Sequence, residues 1–135
     1  MATVKRLSKL SKLSKLSKLS EPSEHGLQLA VLRHLRTYGR RELNWFAIPN
    51  AGRRSLRYGA RMKSEGMQSG VADICIMLER GCVAWLELKT ESGAQSDAQK
   101  GFEAKCLRLQ HPYCLARTID EAISFLKSMG VLRAR

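Results

Sequence analysis

Long apolar runs are missing from this sequence of 135 residues, and their absence excludes whole classes of protein. No segment approaches the ~18 to 20 consecutive apolar residues that a membrane-spanning helix requires. The first residues also lack the apolar stretch of a secretory signal peptide. We therefore expect a soluble, cytoplasmic protein with no membrane partner. Hydrophobic residues make up 44% of the chain, which suits one buried core and leaves no room for a second catalytic domain.

Cysteine and histidine patterns that bind metal are absent as well. The four cysteines form no CxxC or CxxH pair, so neither a zinc site nor a disulfide framework is indicated. Their neighbours are apolar, and we predict that they are small, buried hydrophobic residues. The cysteines are Cys75, Cys82, Cys106 and Cys114; His25, His34 and His111 lack ligand spacing and are expected at surface or half-buried positions.

Acidic residues are scarce compared with basic ones. The chain has 24 Lys and Arg against 12 Asp and Glu, a net charge of +12 that would attract a polyanion. Residues 1–22 hold six of the cations, four of them in a Leu-Ser-Lys repeat from Leu7 to Leu19. Leucines three residues apart spiral around a helix, so no stable apolar face forms and we predict a disordered basic arm. DNA tracking and membrane-surface binding are alternative roles for it.

Residues 23–135 have the periodicities of one mixed domain, which is itself basic. Capping signals, apolar spacing and glycine stops predict an α/β (α+β) fold in the order α, β, α, β, β, α, β, α. The predicted segments are a helix from Ser23 to Gly39 with Leu27, Val31 and Leu35 inside, a strand at 43–49, a helix in the later part of 53–65, strands at 71–78 and 82–89, a helix from Ser96 with Phe102, Cys106 and Leu109 inside, a strand at 112–116, and a capping-box helix from Thr118 to Gly130.

The strands at 71–78 and 82–89 are separated by three residues that end in Gly81, which is typical of a β-hairpin. In such a hairpin Leu78 faces Cys82, and Asp73 faces Glu87. Side chains alternate along a strand, so Lys89 shares a face with Glu87. The pattern therefore predicts two carboxylates and a lysine on one face.

Two opposed carboxylates would repel each other by about 3 kcal/mol at an effective dielectric constant near 20. Neighbours such as Ile74 and Trp85 leave little water to screen them. Hard divalent cations prefer carboxylate, carbonyl and water oxygens, so Mg²⁺ or Mn²⁺ is the natural partner. Two alternatives remain at this point: Glu87 and Lys89 form an ordinary exposed strand end, or a slip of one residue in register separates the acids.

Several motifs occur together in a fixed order: Asn50-Ala51-Gly52, Lys63-Ser64-Glu65-Gly66, Gly70-Val71-Ala72-Asp73-Ile74, Trp85-Leu86-Glu87-Leu88-Lys89 and Ser96-x-x-Gln99. In this order and spacing they resemble the VRR-NUC (virus-type replication-repair nuclease) branch of the PD-(D/E)XK superfamily, over roughly residues 24–126. One departure is Ala72, where the family usually has proline. Proline shapes the backbone but binds no metal, so the departure does not affect the chemistry.

The resemblance implies a restriction-endonuclease-like core, a mixed α-β-β-β-α-β sheet flanked by helices. It also implies that Asp73, Glu87 and the backbone carbonyl of Leu88 hold Mg²⁺ or Mn²⁺. Lys89 would orient the attacking water and stabilise charge on the phosphate. Glu24 matches the family's helical glutamate, which reaches the metal directly or through water; as an alternative, it is an exposed first-turn acid that the helix dipole favours.

Gln99 and a basic stretch complete the candidate set. Gln99 matches the family's glutamine after the motif, yet it is also the fourth residue of a capping box, where its side chain would reach its own helix cap. The basic stretch is either a solvated face or a contact to the nucleic-acid backbone, and beside a nuclease site we favour the contact. Its members are Arg53, Arg54, Arg57, Arg61 and Lys63.

These expectations point to a metal-dependent endonuclease that hydrolyses DNA, with branched or four-way junctions as substrate. Junction-resolving relatives of this size act as dimers, so a homodimer is expected. A restriction-like or non-specific DNA nuclease is one alternative. A catalytically silent nucleic-acid-binding module is the other, because basic charge alone would allow it.

Overall fold

The computed structural model describes residues 22–49 and 56–134, so the predictions for the arm, for Asn50 to Gly52 and for Arg53 and Arg54 lie outside the described residues. The described helices and strands follow the predicted order. In chain order they are α1 (Glu24–Tyr38), β1 (Asn44–Ala47), α2 (Leu56–Ser64), β2 (Ile74–Met77), a 3₁₀ turn (Glu79–Gly81), β3 (Val83–Leu88), α3 (Asp97–Arg108), β4 (Tyr113–Ala116) and α4 (Ile119–Ser128). Within these described ranges, no helix is long and apolar enough to cross a membrane.

The four strands form one mixed sheet in the order β1-β2-β3-β4. The first three strands are antiparallel neighbours, whereas β4 runs parallel to β3. A parallel neighbour needs a crossover connection, and helix α3 supplies it. Helices α1 and α4 pack together against the β3–β4 part of the sheet, and the buried core lies between them and the strands.

Helix α1 forms as its sequence pattern predicts. The side chain of Ser23 accepts a hydrogen bond from the backbone N–H of Gly26, which satisfies one donor of the first turn. The buried residues Leu27, Val31 and Leu35 recur every four positions and face the core. This packing fixes the helix so that its first residue, Glu24, lies at the helix end that approaches the end of β3.

The β2–β3 hairpin has the predicted register. Ile74 pairs with Leu86 and Met77 with Val83, so the next rung beyond β2 brings Asp73 opposite Glu87. Two details differ from the prediction. Strand β2 begins only at Ile74, and the connection is a 3₁₀ turn in which both Arg80 and Gly81 have positive φ angles of 61° and 72°.

Two further predictions were wrong in detail. Leu109 was expected on the inner face of α3, but it is 62% exposed because the helix ends at Arg108 and the helical periodicity stops there. The capping box at Thr118 is incomplete. Thr118 accepts from the N–H of Glu121, but the carboxylate of Glu121 accepts from the N–H of Arg117 instead of that of Thr118.

Gly70 brings the segment before β2 against the first turn of α3. Its φ angle is +82°, and a Cβ atom placed there would lie 2.3 Å from the carbonyl carbon of Ala98 and 2.7 Å from the backbone nitrogen of Gln99. Both the conformation and the close approach require glycine. The segment that leads to Asp73 is therefore in close backbone contact with the helix that carries Gln99.

We expect Gly70→Ala to lower the free energy of unfolding by about 2 kcal/mol or more, because the strained φ angle alone costs roughly 1–3 kcal/mol. The clash should also push the first turn of α3 away from β3. Urea titration measures the change. Gly101→Ala is the matched control: Gly101 lies inside α3 with no atom within 4 Å of an added Cβ, so the variant should be neutral or slightly more stable. Equal stability of both variants would contradict the close approach.

Candidate active site at the end of the hairpin

Asp73 and Leu88 join the ends of β2 and β3. Asp73 directly precedes β2, and its carboxylate Oδ2 accepts a hydrogen bond of 2.8 Å from the backbone N–H of Leu88. The carbonyl of Asp73 accepts from the N–H of Ile48, which ties the same residue to the end of β1. The Asp73 carboxylate is thus fixed beside the segment Glu87-Leu88-Lys89.

Glu87 is buried completely, with 0% of its surface exposed. Its Oε1 atom accepts a hydrogen bond of 2.6 Å from the side-chain amide of Gln99 and lies 3.5 Å from the ammonium nitrogen of Lys89. Its Oε2 atom is buried and has no hydrogen-bond partner among residues 22–49 and 56–134. An orphaned carboxylate oxygen inside a protein is costly, and such atoms mark places where a further partner fits.

The surroundings of Glu87 change its acidity. Burial is the largest cause and the nearby Asp73 carboxylate the second, and together they raise the pKa of Glu87 from 4.5 to about 7. Lys89 acts in the opposite direction but does not compensate. The alternative in which Glu87 is an ordinary exposed strand end is therefore wrong.

Lys89 lies between two carboxylates. Its ammonium nitrogen is 3.4 Å from Oε1 of Glu24 and 3.5 Å from Oε1 of Glu87. Its side chain is only 10% exposed, whereas that of Glu24 is 48% exposed. Helix α1 thus places Glu24 at the end of the hairpin, where it contacts Lys89. The ammonium group is paired with one half-exposed and one buried carboxylate.

Gln99 contacts both its own helix cap and the buried Glu87 carboxylate. Its Oε1 atom accepts from the backbone N–H of Ser96, which completes the capping box of α3. Its Nε2 atom donates to Glu87 at the same time. One amide therefore caps the helix with its oxygen and holds the buried carboxylate with its nitrogen.

The donor set at this site suits a hard divalent cation. In residues 22–49 and 56–134, no three Asp, Glu, His or Cys side chains converge closely enough to surround an ion alone. The oxygens that could contribute are the Oε2 of Glu87, which no described residue engages in a hydrogen bond, the adjacent Asp73 carboxylate and backbone carbonyls. Mg²⁺ commonly uses one or two carboxylates and keeps several waters, so the residues present fit such an ion.

Sequence reasoning missed Arg117, which follows β4 and holds the loop after Lys89. One terminal nitrogen of its guanidinium donates to the carbonyls of Thr90, at 2.7 Å, and Gly93, at 2.5 Å, with Glu91 at 3.3 Å. A Cβ on Gly93 would lie 3.5 Å from Oε1 of Glu24, so this loop borders the site. No local pattern announces the contact, because 24 residues separate Arg117 from Gly93.

The described part of the basic stretch lies on helix α2. None of its residues is buried, and Arg57, Arg61 and Lys63 are exposed. Arg61 forms a salt bridge of 2.9 Å with Glu65, one turn later. Within the described part of the chain, Arg57 and Lys63 form no ion pair. The segment after this helix leads through Gly66 and Gly70 to Asp73.

The fold and site together define a mixed α/β domain with two acids and a lysine at the end of a β-hairpin. No family model and no curated protein matches the sequence. Among solved structures, the chain is similar to a VRR_NUC domain protein, with a TM-score of 0.65 and 19% identity over 83% of this chain and 97% of that one. A second structure, a VRR_NUC domain, gives a TM-score of 0.54 and 13% identity over 78% and 96%. The chain therefore has the VRR_NUC fold, which confirms the fold that its motifs predicted.

Glu87→Gln tests the electrostatic cost of this site. Because the pKa of Glu87 is higher in the folded state than in the unfolded chain, deprotonation destabilises the fold as pH rises from about 4.5 to about 7. In protein free of divalent ions, the stability difference between variant and wild type should therefore grow over this interval, by about 3 kcal/mol. Urea titrations at several pH values measure it. Glu91→Gln, at an exposed position, is the control. A constant difference between Glu87→Gln and wild type would mean that the carboxylate is not buried as described.

Proposed function

We propose that this protein is a divalent-metal-dependent nuclease that hydrolyses the phosphodiester bonds of DNA. The observation that carries the proposal is the buried Glu87 carboxylate, whose Oε2 finds no hydrogen-bond partner among the described residues while Asp73 and Lys89 lie beside it. A domain without a ligand would gain stability by losing this arrangement. The VRR_NUC fold supports the same reading, because this fold is that of a nuclease domain.

Each residue has a role that its contacts permit. Asp73, Glu87 and the carbonyl of Leu88 would hold Mg²⁺ or Mn²⁺, with Glu24 joining directly or through water. The ion would supply Lewis-acid stabilisation and a more acidic bound water. Lys89, held between Glu24 and Glu87, would orient the attacking water and stabilise charge on the phosphate. Gln99 would keep the Glu87 carboxylate in place through its hydrogen bond.

We propose structured DNA, such as branched or four-way junctions, as the substrate, in replication, repair or recombination in the cytoplasm. Cleavage of both strands at a symmetric junction requires two sites, so the active form would be a homodimer. A nuclease indifferent to DNA shape and a silent binding module are the alternatives. The opposed carboxylates argue against the silent module, because binding to phosphates does not need them.

Asp73→Asn and Lys89→Ala should each reduce Mg²⁺- or Mn²⁺-dependent cleavage by at least about a hundredfold, since each loses a group that acts on the reacting phosphate. Binding measured in Ca²⁺ should change by less than about threefold, because most affinity comes from backbone contacts elsewhere. Cleavage is measured on linear, flapped and four-way DNA of the same sequence.

Asp120→Asn and Lys127→Ala are the matched controls for these two variants. Both residues are exposed on α4, on the side of the sheet opposite α3, and both substitutions remove the same charge. The proposed chemistry is supported if both control variants cleave DNA as well as the wild type and neither site variant does. Absence of metal-dependent cleavage by the wild type on every DNA would leave the silent module. Loss of binding in both site variants would mean that the chemistry is misplaced.

The cations of α2 are proposed to bind the DNA backbone. Arg57→Ala combined with Lys63→Ala should reduce the slope of log affinity against log salt by about 2, because each phosphate contact contributes about 1. The control, Arg36→Ala with Lys127→Ala, removes equal charge from the last turns of α1 and α4. Arg36 is 12 residues along α1 from Glu24, or about 18 Å. An equal loss in both double variants would indicate that net charge alone, and no α2 contact, governs binding.

A further inference from the structure

A pocket lies beside the candidate active site, between β3 and the C-terminal half of α3. Its volume is about 230 Å³, and its walls are formed by Val83, Trp85, Phe102 and Cys106. The rings of Trp85 and Phe102 meet edge to face with their centroids 5.1 Å apart. The pocket is smaller than the roughly 300–1,000 Å³ of sites for drug-sized ligands, so it suits a single planar group.

The mouth of this pocket, which we call the aromatic pocket, combines polar, cationic and apolar side chains. Gln68, Lys105, Leu109 and His111 also line the pocket, and of these Gln68, Lys105 and Leu109 are exposed. Leu109, which the sequence wrongly predicted to be buried, is 62% exposed. An exposed leucine and a lysine at one rim suit a ligand with an apolar plane and a negative charge.

His111 provides the independent sign of a missing partner. Its backbone N–H donates to the carbonyl of Cys106 at 2.8 Å, which fixes the residue just after the end of α3. The ring nitrogen Nδ1 is buried and has no hydrogen-bond partner in the described part of the chain. Buried polar nitrogens are normally satisfied, so this atom has a bonding capacity that the described residues do not use.

The aromatic pocket lies on the same face as the candidate active site. Val83 and Trp85 precede Glu87 by four and two residues, so they share its face of β3 at roughly 13 and 7 Å along the strand. Phe102 follows Gln99 by three residues and lies on the same side of α3. The rise along a stacked strand of nucleic acid is about 3.4 Å per nucleotide. A strand that places a phosphate at Glu87 would therefore reach the pocket within about two to four nucleotides.

Resting on the proposed nuclease function, we propose that the aromatic pocket binds one unstacked nucleobase of the substrate strand, two to four nucleotides from the bond that is cleaved. Every base has an apolar face for Trp85, Phe102 and Leu109, together with edge donors and acceptors for His111. Lys105, an exposed cation in the lining, would pair with the phosphate of the same nucleotide. The substrate is then nucleic acid with an unpaired nucleotide beside the cut, such as a flap, a bulge or an open junction.

An abasic scan tests the pocket without mutating it. A single-stranded flap is made with one abasic nucleotide at each position in turn, and affinity is measured by fluorescence anisotropy in Ca²⁺. One position, or two adjacent ones, should lose at least about fivefold in affinity, because stacking of a base on aromatic side chains contributes that much or more. A flat scan would overturn the proposal.

His111→Phe and Lys105→Ala connect the sensitive position to the pocket. The phenylalanine keeps an aromatic wall but removes both ring nitrogens, so it should weaken binding of the intact flap by about threefold to tenfold. It should weaken the flap that is abasic at the sensitive position much less, which a merely structural role would not produce. Lys127→Ala, far along α4, is the charge control for Lys105→Ala and should leave the position dependence of the scan unchanged. Circular dichroism and thermal unfolding check that each variant is folded.

The outcomes separate this inference from the proposed function. Position-dependent affinity without any metal-dependent cleavage would uphold the pocket and remove the nuclease proposal. Metal-dependent cleavage with a flat scan would uphold the nuclease and remove the pocket. If Leu109→Glu converts a dimer to a monomer in sedimentation experiments while the scan stays flat, the pocket holds a second copy of this chain and the nucleobase proposal is wrong.

Discussion

The burial of the Glu87 carboxylate opposite Asp73 is the constraint on which the rest of this structure depends. Two carboxylates near each other in a poorly hydrated place repel, and the single ammonium group of Lys89 does not restore the usual acidity of Glu87. A register shift of one residue would relieve this repulsion by separating the two acids. The shift is unfavourable, because it would move Ile74 and Leu86 out of the core. The apolar side of the same strands therefore enforces an electrostatic cost on the other side.

Backbone contacts keep this arrangement from relaxing. Gly70 lies against the first turn of α3. The segment before Asp73 and the helix that carries Gln99 are therefore packed closely against each other. Arg117, more than 20 residues later in the sequence, donates hydrogen bonds to the carbonyls of the loop after Lys89. Since Gln99 caps its helix and holds Glu87 with one amide, fraying of α3 would also release the carboxylate. The stability of the helix and the geometry of the site are coupled through a single side chain.

The sequence predicted those features that depend on local periodicity or on pairing across a short turn. The core of α1 at Leu27, Val31 and Leu35 follows from helical spacing, and the opposition of Asp73 and Glu87 follows from a three-residue connection. Contacts between distant segments were beyond such reasoning. The Gly70–Ala98 approach and the Arg117 contacts depend on how whole elements pack, and Leu109 was misplaced because periodicity does not reveal where a helix stops. The resemblance to a nuclease family supplied Glu24, which no spacing rule connects with Lys89.

A site of this kind links the fold to its proposed ion by thermodynamic necessity. The repulsion and the orphaned oxygen destabilise the ion-free protein, and any cation that binds the folded state and not the unfolded chain restores that free energy through linkage. Under the proposed function, substrate phosphates would bring further negative charge toward Asp73 and Glu87, so DNA alone would bind poorly next to them. The proposed cation would then act twice: it would neutralise the acids and would allow the phosphate to approach. The exposed cations of α2 would have a different task in the proposed nuclease: they would attract the DNA backbone from a distance, whereas an ion at Glu87 would let the phosphate reach the acids.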